Sequence, residues 1–174
     1  MYLTHMKSII VSAINQNLSK ATQLLDRISD DDYTNETVGP YYSSIGSHIR
    51  HSLDFFSCII DGLDNNHIDL TKRNRDEILS TDRIAAKNYI FQLQQILTTY
   101  IDISTNYLVH VTDDLGQGST RVDYTLESIL AHANSHALHH YAIIGYILHQ
   151  LDVAIQISGF GYNPTTPQDK RKGI

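Results

Sequence analysis

At 174 residues, with 41% apolar and 18% charged side chains, the chain suits a single domain around one core, residues 1–174, and does not have the composition of a disordered segment. A formal net charge of −6 with acids and bases interspersed leaves no basic face for a phosphate backbone, so nucleic acid is not an expected partner. Cys58 is the one cysteine, which excludes an intrachain disulfide and a thiolate metal cage. No apolar run is long enough for a signal core or a membrane span, so a soluble protein of a reducing, cytoplasmic compartment is expected, without a membrane partner.

The three prolines all follow position 39, which leaves room for long helices. A first helix is expected from about Thr4 to Ile28, because Ile10, Ile14, Leu18, Ala21, Leu24, Leu25 and Ile28 recur at helical spacing. Ser29 to Pro40, rich in Asp and ending in Gly39-Pro40, reads as a loop. A second helix should run from about Tyr41 to Gly62 with Ile45, Ile49, Leu53, Phe56 and Ile60 as its stripe. The charged stretch from Asp64 to Ser80 reads as an ordered excursion over the surface.

A third helix is expected from about Thr81 to His110, capped by Ser80 or Thr81 and carrying Ile84, Ile90, Leu93, Leu97, Ile101 and Leu108. The fourth should span about Asp123 to Leu151, with Leu126, Ile129, Leu130, Ala133, Ala137, Ile144, Ile147 and Leu148 on one face. Four amphipathic helices of about 22 to 30 residues hide their apolar stripes by packing around a common core, so the expected fold is all-α, a four-helix bundle. From about residue 152 the tail, with Gly159, Gly161, Pro164 and Pro167, should be irregular and laid on the bundle by Ile155, Ile157 and Phe160. Lys170, Arg171 and Lys172 read as a solvated end.

Ten histidines are present, and five fall between residues 132 and 149, where even spacing would put about one. Histidine gains nothing from being repeated along a helix, so the cluster calls for a cause. His136 and His140 stand four apart and share one side of a helix, the spacing from which two imidazoles grip one ion. His140 falls on the core side of the fourth helix and His136 at its margin. His132, His139 and His149 fall on the polar side. The second helix offers His48 and His51 for a third ligand, and periodicity prefers His48, since His51 sits on a flank with Phe55 and Cys58. Eleven tyrosines against no tryptophan is unusual, but Tyr41, Tyr42, Tyr124 and Tyr141 read as packing groups, and Cys58 as a small buried hydrophobe.

Three segments carry a resemblance: SIGSHIRHSLDFF from Ser44, IDLTKRNRDEI from Ile68, and SHALHHYAIIGYIL from Ser135. In content and order they resemble the DinB-like superfamily. That resemblance implies a four-helix bundle, often a homodimer, with a histidine triad for zinc or nickel. It assigns the second-helix ligand to His51 and the other two to His136 and His140, with His48 left as a supporting group behind the ligands or an alternative ligand. Many relatives carry Glu and Arg directly after the two histidines of the pair, where this chain has Ala137 and Tyr141, so the chemistry of the thiol-transfer and sulfoxide-synthase relatives does not carry over.

Three neutral imidazoles would leave a tetrahedral ion one open position, the pattern of a catalytic site. The expected function is therefore a divalent-metal-dependent enzyme, hydrolase or thiol transferase, acting on a small molecule of unspecified identity. The alternative is a non-catalytic dimeric bundle or stress-associated binding module. A di-iron carboxylate site is excluded, since the fourth helix offers only Glu127, nine residues before His136.

Overall fold

The computed structural model describes residues 2–100 and 107–167, with side chains from residue 9 onward. Four long helices carry most of the described chain: α1 (Tyr2–Leu25), α3 (Ile45–Leu63), α5 (Arg83–Thr99) and α6 (Leu126–Gln150). Two short helices, α2 (Asp30–Thr34) and α4 (Ile78–Thr81), and three strands, β1 (His67–Asp69), β2 (Leu108–Asp114) and β3 (Ser119–Thr125), fill the connections. The chain is mostly helical, but the expectation of an all-α fold is corrected by the three-stranded sheet, ordered β1-β2-β3.

Local chemistry explains the boundaries. Ser44 caps α3 by accepting the Ser47 N–H, 3.0 Å away, and Thr125 caps α6 by accepting that of Ser128. Asp82, and not Ser80 or Thr81, caps α5 through the N–H groups of Ile84 and Ala85. The expected loop at 29–40 contains α2, closed by a reciprocal capping box between Ser29 and Asp32.

The larger correction concerns the third helix, expected to reach His110. Described helix ends at Thr99, Ile101 lies outside the described residues, and β2 begins at Leu108. From there the side chains alternate: Val109 and Val111 are buried while Leu108 is exposed, a period of two that a half-covered strand demands. Gly116 and Gly118 take φ of 86° and 103°, values a side chain would resist, and turn β2 back into β3. Strand β1 pairs in parallel with β2, Ile68 opposite Val111, so the 64–80 excursion contributes a strand and a helix.

One hydrophobic cluster joins the faces of the four long helices. Ile14, Leu18 and Leu24 of α1, Ile45, Ile49 and Ile59 of α3, Ile90 and Leu97 of α5, and Ile129 and Ile144 of α6 are wholly buried. The sheet adds Ile68, Val109 and Val111 to the same cluster. Helix α3 packs chiefly on α6, and α1 packs on both α6 and α5. At Gly46 a Cβ would stand 2.0 Å from the Ser80 carbonyl oxygen, so only glycine lets α4 close over the first turn of α3.

The tail behaves as its composition suggests. It is irregular from Asp152, Ile157 is buried, Phe160 stacks on Tyr141 at 5.1 Å between ring centres, and Lys20 of α1 donates to the Gly159 carbonyl. Lys170, Arg171 and Lys172 lie outside the described residues. Among the described helices none is long and apolar enough to cross a membrane.

Candidate metal centre

The α3–α6 contact brings His51, His136 and His140 together. Ring centres stand 5.0 Å apart for His51 and His136, and 4.6 Å for each of the other two pairs. One nitrogen from each ring lies within 4.8 Å of the other two, and these three form the sole such group of histidine, cysteine or carboxylate donors among the described residues. His140 is buried, and His51 and His136 are half-buried, as the core side and the margin of the two helices require.

Periodicity preferred His48 over His51, and the reason it did so is visible. The apolar stripe of α3 is only part of its buried face, for Phe55 and Cys58 on the His51 flank are 2% and 6% exposed. Helix α6 itself packs on that flank, where the Phe55 ring centre lies 5.0 Å from that of His132 and 5.3 Å from that of His136, so the buried face of α3 is wider than one stripe. His48 joins the site from behind: its Nδ1 lies 2.9 Å from Nδ1 of His140, and its Nε2 lies 2.8 Å from the Ser43 hydroxyl. His132 and His139 are exposed, the first stacked on Tyr124 and against Phe55, and His149 is exposed at the far end of α6.

All three rings are held neutral. Burial is the first cause in each case, lowering His51 and His136 to about 4 and His140 to about 2. At His51 the charges of Arg73, Arg50 and Arg75 push in the same direction, and at His140 the neighbouring His136 and His51 do. A neutral imidazole keeps a lone pair for an ion, and in His136 the Nε2 atom is buried with no hydrogen-bond partner. Such an orphan costs on the order of 1–3 kcal/mol.

The donor set fits a divalent ion that favours imidazole. Metal–nitrogen bonds of about 2.0–2.1 Å let two ligand atoms on one ion stand up to ~4 Å apart, so small ring rotations suffice to bring all three onto a common centre. All three potential donors come from two helices, α3 and α6. Beside His51 lies a cavity of about 470 Å³.

Sequence reasoning missed the group that touches the site from the 64–80 excursion. Nη1 of Arg73 lies 2.9 Å from Nδ1 and 3.1 Å from Nε2 of His51, and its Nε donates to the Leu70 carbonyl at 3.1 Å. Its segment has neither helical nor strand periodicity, so nothing local announced which way the side chain would turn. Tyr41 and Tyr42 do not pack as expected: they are 80% and 65% exposed, whereas Tyr141 is fully buried. Cys58 is buried, and burial pushes its thiol up to about 11.

A helical protein whose neutral imidazoles converge from two packed helices is, in class, one compatible with metal binding. The sequence model of the DinB superfamily matches residues 13–144, most of the chain and both histidine-bearing helices, and the chain belongs to that superfamily. No curated protein and no solved structure matches it.

Proposed function

We propose that the chain is a divalent-metal-dependent enzyme, a hydrolase or thiol transferase, in which His51, His136 and His140 hold zinc or nickel and leave one coordination position open. The observation that carries this reading is the convergence of three neutral rings, with a buried His136 Nε2 that has no hydrogen-bond partner among the described residues. When bound, such an ion would supply Lewis acidity and lower the pKa of a coordinated water to about 7.

The chain's own residues prepare the donors. For His140 to offer Nε2, its proton must sit on Nδ1 and be donated to Nδ1 of His48, which then carries its own proton on Nε2 and donates it to Ser43 Oγ. That relay fixes ring orientation and tautomer together. Arg73 resists protonation of His51, and its Nη1, within 3.1 Å of both ring nitrogens, would turn away for His51 to take an ion.

We take α1, α3, α5 and α6 as a four-helix bundle in a single domain, and the protein as a cytoplasmic homodimer with a small-molecule substrate, in keeping with the DinB resemblance. Protein purified without a histidine tag should carry about one zinc or nickel per chain by elemental analysis. The His136→Ala and His140→Ala variants should carry none, and metal retained at wild-type content in both would overturn the assignment.

One observation favours a second reading, a non-catalytic metal-binding or stress-associated module. The positions following the two α6 histidines, Ala137 and Tyr141, are 2% and 0% exposed and face the core, so neither supplies an acid or base to the site. Metal content with no turnover of amide, ester or small-thiol substrates would favour it.

A further inference from the structure

The cavity beside His51 has a volume in the range of small-ligand sites and an uneven distribution of charge. Arg50, Arg73 and Arg75 line it together with His51. Among the described residues, neither Arg73 nor Arg75 has a carboxylate within ion-pair distance, whereas Arg50, Lys72, Arg83, Lys87 and Arg121 each have one. Arg50 is paired with Asp54 at 2.8 Å through Nη1, yet its Nε is buried with no acceptor. A guanidinium donor withdrawn from water without an acceptor is unfavourable, and the planar fork of arginine matches an oxyanion.

Three carboxylates line the same cavity, and each already accepts a hydrogen bond. Glu77 accepts from the Ser80 hydroxyl at 3.0 Å, Asp113 from the Asp114 N–H at 2.9 Å, and Asp114 from the Gly116 N–H at 2.8 Å. They keep their charge, but none of them lies within ion-pair distance of Arg73 or Arg75. The arginine segment is fixed at both ends: the Leu70 N–H donates to the Thr112 carbonyl, Asp69 accepts from the N–H and hydroxyl of Thr71, and Asp76 accepts from the Ile78 N–H. A segment tied down in this way presents Arg73 and Arg75 to the cavity as a wall.

We infer that this cavity is an anion subsite, and that the substrate carries an oxyanion, carboxylate or phosphoryl, which Arg73 and Arg75 hold while its reacting group faces the histidines. The inference rests on the proposed metal centre for what the held molecule undergoes, and on the arginines alone for what is held.

The test uses the metal-free and the zinc-loaded protein side by side, with inorganic phosphate, glutarate and the neutral glutaramide as probes. The arginine Nε–H resonances of Arg73 and Arg75, read by NMR, should shift saturably with phosphate or glutarate and stay still with glutaramide. Phosphate saturating first points to a phosphoryl group, and glutarate saturating first to a carboxylate. Arg73→Gln should weaken binding of the preferred anion at least tenfold, and the exposed Arg75→Gln should do the same should the first variant fail to fold. Resonances unmoved by either anion in both forms, or moved equally by glutaramide, would overturn the subsite. Failure to take up zinc with the arginine shifts intact would overturn the metal centre and support the subsite.

Discussion

His48 and His140 meet through their Nδ1 atoms, 2.9 Å apart, across the α3–α6 contact, and His48 passes the connection on to Ser43. The pairing places a hydrogen-bonding group directly behind a ring whose other nitrogen is free for an ion. Removing such a support commonly costs ten- to a hundredfold in metal affinity. His48→Ala is therefore expected to weaken zinc or nickel binding by about that factor while leaving stoichiometry at saturating metal unchanged. Competition with a chromophoric chelator measures it, and an affinity equal to wild type would remove His48 from the site.

The lowered basicity of the three rings makes a prediction about acid. In the unfolded chain each ring titrates near its ordinary value of about 6.5, whereas in the folded protein His51 and His136 protonate only near 4 and His140 near 2. Below about pH 6.5 the unfolded state takes up protons that the folded state refuses, so the unfolded state gains and the metal-free protein loses stability. The stabilisation from neutral rings is thus fully present above that pH and declines as acid approaches the folded values. Thermal melts of metal-free protein should fall between pH 7 and pH 5 more steeply than those of a His51→Asn, His136→Asn, His140→Asn variant, and parallel curves would contradict the burial of the rings.

Much of this architecture is legible in the residues, and the exceptions have physical causes. The stripes of α1, α3 and α6 recur at helical spacing and are buried where that spacing says. Strands β2 and β3 were hidden because Leu97, Ile101 and Leu108 happen to fit a helical count, while the true signal, Val109 and Val111 inward with Leu108 outward, occupies only a few residues. Strand β1 is three residues long and owes its existence to pairing with β2, which no local pattern encodes.

The site divides in the same way. His136 and His140 could be paired from their spacing, because both sit on one helix. The choice between His48 and His51 depends on how α6 seats on α3, and those two helices are far apart in sequence. His51 reaches both α6 rings, while His48 reaches His140 alone. Arg73 could not be read at all, since its placement follows from the turn that Asp69 and the Leu70 N–H impose on an aperiodic stretch.

Cys58 is a separate matter of accessibility. It is buried, and its thiol is pushed up to about 11, chiefly by burial, so thiolate is scarce at pH 8. Native protein should react with a disulfide reagent at pH 8 at least about a hundredfold more slowly than the same protein in denaturant. Reaction at a comparable rate in both would mean that the flank of α3 opens readily.

The seat of α4 on α3 gives the last test. A Cβ at position 46 would stand 2.0 Å from the Ser80 carbonyl oxygen and 2.8 Å from its carbon, both backbone atoms that cannot swing aside. Gly46→Ala must then push α4 away or shift the start of α3, where Ser44 caps the helix and His48 begins its hydrogen bonds. Overpacking of this kind costs about 1–3 kcal/mol, against the few tenths to one that alanine normally gains over glycine inside a helix. The net expectation is a loss of stability in denaturant melts together with weaker metal binding, since displacement of the α3 start moves His48 away from His140. A Gly46→Ala protein as stable as wild type would show that the first turn of α3 has room that the close approach of Ser80 denies it.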